Sequence, residues 1–349
     1  MNCLSGTVKS RSLGRCRTFF RLDPHATVNK ITEIQQEKPR VETKQREDIH
    51  LSGGCAIKKT ISLLILITLV FGLPLRTEAK TVARLHFVDL KEISRIKQVI
   101  SRDRDRTVLF VGDSVVYSSA ARFDKDTIPS FFANLLEQKG YKNTHVYDLS
   151  LSGCSFTDTY EILKFVMPSR PDYVICDLNV AWFDAKGRSY RTLLKLHDPA
   201  AIEKDQPAKI TIGEHMYTRW DKKKWDHLDG FPVKLGNYNY SQGNEQWQAF
   251  LKIAALLKQY PDTKVIMFLP PRNYALYSRY KLVDQSLYLE KTAFIKKHLP
   301  PNVICCDYTW KVESQHFSDI VHMLPQGNKK TAAYLFNDYL KLTRMEWQR

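Results

Sequence analysis

Short apolar runs alternate along this chain with longer segments in which apolar residues recur every three or four positions. Such runs, rich in β-branched and aromatic residues, are typical of buried strands, whereas the longer spacing is typical of amphipathic helices. The pattern predicts five strands, at 107–111, 145–151, 173–180, 264–269 and 303–308. It predicts helices between and after them, at 128–139, 158–166, 244–260, 286–299 and 325–342.

The alternation of strands and helices predicts the fold class. Strands that are apolar throughout must be covered on both faces, which favours a mainly parallel sheet between two layers of helices. We therefore expect an α/β protein, a three-layer α/β/α sandwich with a five-stranded sheet, over residues 106–349. Residues 80–105, with Leu90, Ile93 and Ile96 at helical spacing, are expected to form a helical lead-in to this domain.

The alternation breaks over residues 182–240, which are rich in Lys, Asp, Trp, His and Tyr. Long irregular inserts in compact domains tend to be functional or disordered, and the aromatic content favours an ordered cap. Two interpretations fit the aromatic residues. Trp220 and Trp225 are candidates for stacking on sugar rings, or they form a small satellite core with their neighbours.

A further apolar segment, residues 61–75, has distinctive flanks. Lys58 and Lys59 precede it, and the small residues Thr77 and Ala79 follow it. A basic flank, an apolar core of about 7–15 residues and a small residue at the exit describe a secretory signal peptide. A membrane span needs roughly 20 apolar residues; an uncleaved signal anchor and a buried core helix are the alternatives. We expect residues 58–79 to be a signal peptide or signal anchor, and the domain to be periplasmic, extracellular or membrane-anchored facing outward.

The polarity of the first residues and the net charge limit the remaining classes of structure and partner. Residues 1–57 are polar and lack sustained periodicity, which predicts a disordered or cytoplasmic extension. The net charge of +16 suits nucleic acid, anionic lipid or an acidic polymer as a partner. No zinc-finger or RRM signature is present, so we do not expect a nucleic-acid partner.

Four cysteines follow the apolar segment, and they have two interpretations. In an exported protein they could form disulfides. Two of them lie in predicted buried strands, where a free cysteine behaves as a small hydrophobic residue, and this structural role is favoured. Neither a CxxC pair nor a Cys/His spacing typical of zinc occurs, so we expect no metal and no other cofactor. The four are Cys154, Cys176, Cys305 and Cys306.

Polar residues that a sheet core does not need follow several predicted strands. Gly112-Asp113-Ser114 ends the first strand, and Ser152-Gly153-Cys154 follows the second. Asn179 lies at the end of the third. Asp319 and His322 precede the last helix in an Asp-x-x-His pattern. Ligands of open α/β sheets bind at the carboxyl ends of the strands, so we expect these residues to meet.

This order of Ser, Gly, Asn and Asp-x-x-His resembles the SGNH, or GDSL-like, hydrolases over residues 105–345. Gly112-Asp113-Ser114-Val115 matches their first block, with Val where Leu is usual. Gly153 fits the second block, whereas Asn179 lacks the Gly before it and the Asp after it that many members have. The resemblance implies a flavodoxin-like SGNH hydrolase fold and a serine esterase or O-acyltransferase.

The residue types are suited to acyl transfer independently of the resemblance. A serine hydroxyl is a weak nucleophile until a base removes its proton, and His322 can be that base for Ser114. Asp319 can hold the imidazole tautomer and stabilise the imidazolium. The oxyanion that forms needs preorganised donors, and the candidates are the backbone N–H groups of Ser114 and Gly153 and the amide of Asn179.

The segment from Phe268 to Tyr277 carries a second resemblance. Its Pro-Pro-Arg-Asn-Tyr sequence is similar to a loop in exported SGNH-like proteins related to D-alanyl-transfer and alginate O-acetylation proteins. This similarity implies acyl groups on a cell-envelope polymer, with Arg272, Asn273 and Tyr274 as candidate substrate contacts. The alternative is that the prolines only end a strand and that Arg272 and Tyr274 are surface residues.

The sequence therefore predicts an exported serine esterase or O-acyltransferase that acts on acyl esters, with a cell-envelope polysaccharide as the suggested carrier. A membrane tether and envelope protein partners fit the same hypothesis. Two alternatives stay open at this point. One is a catalytically silent SGNH-fold protein that binds a glycan or serves as a scaffold, and the other is a GDSL-type lipase.

Overall fold

The computed structural model describes residues 79–184, 187–220, 235 and 240–347. The segments 1–57 and most of 58–79, with their predicted extension and signal, lie outside these residues. Within the described part of the chain, no helix is both long and apolar enough to cross a membrane. The helices and strands follow in chain order. They are β1 (Phe87–Val88), α1 (Leu90–Arg102), β2 (Arg106–Val111), α2 (Ile128–Gln138), β3 (Thr144–Asp148), α3 (Phe156–Val166), β4 (Tyr173–Asp177), α4 (Pro199–Glu203), β5 (Ala208–Lys209), α5 (Glu245–Lys258), β6 (Lys264–Leu269), α6 (Tyr274–Arg279), α7 (Gln285–Lys296), β7 (Val303–Asp307) and α8 (Pro325–Trp347).

Five of the strands form one sheet in the order β3-β2-β4-β6-β7, and every neighbouring pair in it is parallel. Successive side chains of a strand point to opposite faces, so each strand supplies two cores. Val108 and Phe110 of β2 pack with α2 and α8 on one face. Leu109 and Val111 pack with α1, α3 and α5 on the other. The expected three-layer α/β/α sandwich with five strands is confirmed.

Several predicted elements differ from the observed ones at their ends. The lead-in is helical only over α1, because Asp89 caps its first turn through a hydrogen bond from Glu92 N, 3.0 Å long. Strand β4 ends at Asp177, so Asn179 lies in the loop after the strand. Between Tyr274 and Arg279 the chain forms α6, which the sequence pattern did not predict. Asn273 caps that short helix through Leu276 N.

The insert 182–240 is largely irregular in its described part. Its regular structure is limited to α4, the two-residue strand β5 and several short 3₁₀ turns. Strand β5 pairs antiparallel with β1 of the lead-in. The insert is therefore attached to the sandwich partly through residues that precede the first strand of the large sheet.

All four cysteines that follow the apolar segment are free thiols. Cys154 and Cys176 are buried in the core that contains α3 and α5. Burial raises the pKa of both thiols well above the ordinary value. They fill space as small hydrophobic residues. Cys176 confirms the favoured interpretation of the sequence, whereas Cys305, which was also expected to be buried, is half-buried on the edge strand β7.

Candidate active site

The candidate site lies at the carboxyl ends of neighbouring strands. Parallel pairing brings the ends of β2, β3 and β4 to one edge of the sheet, with β2 between the other two. The chain leaves β2 toward β3 on one side and later returns to β4 on the other. Open α/β sheets bind ligands beside such a reversal, at the carboxyl ends of the strands. Ser114 follows β2, and Asn179 follows β4.

Residues 113–121, which we call the nucleophile turn, carry Ser114 in a series of tight turns. The carboxyl of Asp113 accepts a hydrogen bond from Val115 N, 2.8 Å long, and Ser119 N donates to Ser114 O over 3.0 Å. Gly112 leads into the turn. A Cβ at Gly112 would lie 2.2 Å from Asp177 Oδ1, so no larger residue fits between β2 and this carboxyl. Ser114 itself is partly exposed.

Ser114, His322 and Asp319 form a continuous hydrogen-bonded chain. His322 Nε2 lies 2.9 Å from Ser114 Oγ, and His322 Nδ1 lies 2.6 Å from Asp319 Oδ2. The other carboxylate oxygen of Asp319 accepts hydrogen bonds from the backbone of Val321 (2.8 Å) and His322 (2.7 Å). A hydroxyl, an imidazole and a carboxylate thus stand in the geometry that acyl transfer requires.

The environment of Asp319 favours its negative charge. Burial opposes ionisation of this carboxyl, but the charge of His322 and the hydrogen bonds from His322 and Val321 outweigh it. The pKa of Asp319 is therefore held below its ordinary value. An ionised Asp319 keeps a proton on Nδ1 of His322, which leaves Nε2 free to accept the Ser114 proton.

Two backbone donors beside Ser114 are unengaged. Within the described residues, the N–H groups of Ser114 and Gly153 have no acceptor. Gly153 has a φ of +81°, in the left-handed region that favours glycine. The loop around it is held by hydrogen bonds from Cys154 N to Leu151 O (3.0 Å) and from the Tyr190 hydroxyl to Ser152 O.

Asn179 provides a third donor, and one of its two amide protons is already engaged. Its Nδ2 donates to Asp113 Oδ2 over 2.5 Å, and its Oδ1 accepts from the guanidinium of Arg272. The second proton on Nδ2 has no acceptor among the described residues. Asn179 is therefore placed beside the nucleophile turn by two charged neighbours.

Arg272 and Asn273 do not lie where the sequence-based prediction placed them. Arg272 is 1% exposed and Asn273 is fully buried, so neither side chain is accessible for substrate contact in this structure. Asn273 donates from Nδ2 to Asp319 O over 3.1 Å and so supports the loop that carries the base. Tyr274, by contrast, is 57% exposed and packs edge-on against Trp310.

The aromatic candidates of the insert are only partly described. Trp225 lies outside the described residues. Trp220 is half-buried, and it follows Thr218, which contacts the loop that carries His322. In that contact the Ser318 hydroxyl donates to Thr218 O over 3.0 Å. The insert therefore comes close to Asp319 in space, although the two are distant in sequence.

Sequence reasoning assigned no role to two residues behind Ser114. Asp177, the last residue of β4, accepts a hydrogen bond from Asp113 N over 3.2 Å. Burial and the neighbouring Asp113 carboxyl raise the pKa of Asp177 well above its ordinary value. Trp182 donates from Nε1 to Asp113 Oδ2 over 2.8 Å. An acidic residue ending an otherwise apolar strand was the available sequence signal for Asp177.

One group of described side chains has ligand types suited to a metal ion, namely Asp103, Asp105 and His145. It lies at the amino ends of β2 and β3, at the opposite edge of the sheet from Ser114. The two ring nitrogens of His145 face different carboxylates, at 3.2 and 3.3 Å. The ring of His145 is therefore already contacted by a carboxylate on each side.

Comparison with known proteins gives distant structural neighbours. No protein-family model matches the chain, and no curated protein matches it. A lipase from a goat rumen metagenome is 13% identical, with 66% of this chain and 95% of that chain covered and a TM-score of 0.38. A GDSL-like lipase from Bacteroides ovatus is 11% identical, with 69% and 55% covered and a TM-score of 0.39.

A family two carbohydrate esterase from Clostridium thermocellum, solved in complex with cellohexaose, is 13% identical. It is covered over 65% of its length and 69% of this chain, with a TM-score of 0.35. With identities of 11–13% and TM-scores below 0.5, these resemblances are too distant to assign a reaction to the chain. The assignment of chemistry therefore depends on the geometry around Ser114.

Proposed function

We propose that this protein is a serine acyl hydrolase or O-acyltransferase that works through an acyl-Ser114 intermediate. The observation that carries the proposal is the chain from Ser114 Oγ to His322 Nε2 (2.9 Å) and from His322 Nδ1 to Asp319 Oδ2 (2.6 Å). His322 takes the hydroxyl proton as Ser114 attacks the ester carbonyl. The same proton then passes to the leaving alcohol, and a second acceptor releases the acyl group.

The backbone donors support this reaction. The free N–H groups of Ser114 and Gly153, with the remaining proton of Asn179, are available to the developing oxyanion. Preorganised donors of this kind are usually the largest contribution to such catalysis. Water as the acceptor makes the protein an esterase, and a sugar hydroxyl makes it a transferase.

The substrate we propose is an acyl ester carried by a cell-envelope polysaccharide, outside the cytoplasm. The basic-flanked apolar segment 61–75 and the net charge of +16 support export and an acidic or polar polymer. The exposed Tyr274 with its neighbour Trp310 offers an aromatic surface suited to a sugar ring.

The test measures p-nitrophenyl acetate hydrolysis and labelling by a fluorophosphonate probe. We expect wild type to hydrolyse the ester and to be labelled once, and Ser114→Ala to lose both. Asp319→Asn should reduce kcat about 10⁴-fold, because the imidazole tautomer is no longer fixed. A folded wild type that neither hydrolyses nor labels would contradict the proposal and favour a silent binding protein.

The substrate class is tested separately. Acetylated oligosaccharides, with and without an added sugar acceptor, separate hydrolysis from transfer by mass spectrometry. A series of p-nitrophenyl esters of increasing acyl length distinguishes a short-chain esterase from a lipase. Preference for long chains would overturn the polysaccharide proposal and leave the acyl-serine proposal intact.

A further inference from the structure

The guanidinium of Arg272 is a charge buried next to the candidate site. Arg272 follows β6, is 1% exposed and is held through its backbone, because Arg272 N donates to Thr309 O over 2.8 Å. Burying an unpaired cation is costly, so such a group is normally paired and hydrogen-bonded. Its guanidinium donates from Nη2 to Asn179 Oδ1.

The partners of Asn179 leave its amide only one orientation. Arginine offers only donors, and a carboxylate offers only acceptors. With Oδ1 toward Arg272 and Nδ2 toward Asp113, both contacts are favourable. A flipped amide would set donor against donor and acceptor against acceptor. The amide nitrogen therefore faces the nucleophile turn, and the oxygen faces away from it.

The positive charge at the Arg272 end of this chain also polarises the amide. Hydrogen bonds in a low-dielectric interior strengthen one another along a chain. Here a guanidinium withdraws electron density from Oδ1 of Asn179, and that makes the remaining Nδ2 proton a better donor. Trp182 fixes the Asp113 end through its Nε1, 2.8 Å from Asp113 Oδ2.

We propose that Arg272 is a positioning residue for the oxyanion hole, acting on the reaction only through the side-chain amide of Asn179. The inference rests on the proposed acyl-serine reaction. Arg272 does not meet the substrate, because Asn179 lies between it and Asp113 in the hydrogen-bond chain and its side chain is inaccessible. It sets the orientation and donor strength of an amide that does.

The decisive experiment is a double-mutant cycle on kcat for p-nitrophenyl acetate with Arg272→Met and Asn179→Ala. Loss of one oxyanion donor typically costs about 10²–10³ in rate. We expect Arg272→Met to lower kcat about 10- to 100-fold and to change KM less than about threefold. In the Asn179→Ala background the same change should alter kcat less than about threefold, because the residue it acts through is gone.

Two further variants distinguish the effect of amide orientation from the effect of the charge on Arg272. They also keep the test informative if Arg272→Met does not fold. Arg272→Gln keeps an amide donor for Asn179 Oδ1 without the charge and should retain more activity than Arg272→Met. Arg272→Lys keeps the charge without the planar fork and should fall between wild type and Arg272→Met. Arg95→Met, at an exposed arginine, is the matched control and should leave kcat unchanged.

An NMR measurement keeps this inference separate from the proposed function. In wild type the two Nδ2 protons of Asn179 should give distinct, slowly exchanging signals, whether or not the protein hydrolyses esters. In folded Arg272→Met these protons should exchange with water faster, and their chemical shifts should move toward those of an exposed asparagine amide. Unchanged amide signals, or effects of the two substitutions on kcat that multiply, would overturn the role of Arg272.

Discussion

Ser114 and His322 are separated by 208 positions in the chain, yet their side chains approach to 2.9 Å. The base is positioned locally, because Asp319 binds both the ring and the backbone of His322 within one turn of chain. The nucleophile is also positioned locally, because Asp113 closes its own turn through Val115 N. Local hydrogen bonds thus fix Ser114 and His322 within their own loops, and the fold brings the two loops together.

Gly153 permits a test at the scale of a single residue. Its φ of +81° nearly equals the +84° of Gly140, which has open space around it and lies away from the site. Left-handed backbone costs an L-residue about 1–2 kcal/mol, so Gly153→Ala and Gly140→Ala should lose similar free energies of unfolding in urea. Only Gly153→Ala should slow p-nitrophenyl acetate hydrolysis, by about 10- to 100-fold, because its N–H is displaced. Equal activity in the two variants would remove Gly153 from the oxyanion hole.

At the scale of elements, the carboxyl end of β3 holds a buried acid that the proposed reaction does not use. Asp148 is 1% exposed and accepts hydrogen bonds from Ser150 N (2.9 Å) and Ser150 Oγ (2.5 Å). Its Oδ2 has no partner among the described residues. Burial raises the pKa of Asp148 to about 7, and the hydrogen bonds from Ser150 only partly oppose the rise. The end of β3 therefore favours a protonated carboxyl.

This raised pKa makes stability depend on pH. A carboxyl that holds its proton more tightly when folded stabilises the fold below about pH 4, and this contribution is lost as pH rises through about 7. We expect Asp148→Asn to match wild type near pH 4. At pH 8 it should exceed wild type in free energy of unfolding, by up to about 4 kcal/mol. Urea unfolding at both pH values measures this, with the exposed Asp262→Asn as a control that should show no such difference. A lower stability of Asp148→Asn at pH 8 would contradict the prediction.

At the scale of the whole molecule, the lead-in segment joins the sandwich to the insert. The guanidinium of Arg84 is buried against the nucleophile turn, where Nε donates to Asp124 Oδ1 over 2.8 Å and Nη1 donates to Ala121 O over 3.0 Å. Two residues later His86 O accepts a hydrogen bond from Ile210 N, 2.9 Å long, in the insert. Residues ahead of the first strand of the large sheet thereby hold both the turn of Ser114 and the polar insert.

Substitution of Arg84 tests this connection. Removing one partner of a buried ion pair typically costs about 3–5 kcal/mol, whereas an exposed pair contributes less than about 1 kcal/mol. We expect Arg84→Met to lower the free energy of unfolding by several kcal/mol and to reduce ester hydrolysis through the nucleophile turn. Arg95→Met, which breaks the exposed pair with Glu92, should change neither quantity measurably. Similar effects of the two substitutions would show that the lead-in does not support the turn.

The amino-acid pattern was sufficient to predict the sandwich and the positions of its five main strands along the chain. A continuous apolar run indicates a strand that is buried on both faces, and apolar residues at every third or fourth position indicate a helix that is buried on one face. Both patterns can be recognised in each segment separately. Ser114, Gly153 and Asn179 could be selected because polar residues after apolar strands must share one edge of a parallel sheet. Asp319 and His322 could be selected from their Asp-x-x-His spacing and the resemblance to SGNH hydrolases. Five-strand parallel pairing then brought Ser114, Asp319 and His322 together.

Which polar residues are exposed to solvent, and which are buried behind them, became evident only from the folded chain. Arg272 and Tyr274 are two positions apart, yet the charged arginine is 1% exposed and the aromatic tyrosine is 57% exposed. The buried hydrogen-bonded chain of Asp113, Asn179 and Arg272 joins the loops that follow β2, β4 and β6. Asp113 and Asn179 are 66 positions apart in the sequence, and Asn179 and Arg272 are 93 positions apart. Local patterns carry no information on such pairings, because orientation and burial of a loop side chain depend on the neighbours that folding brings to it.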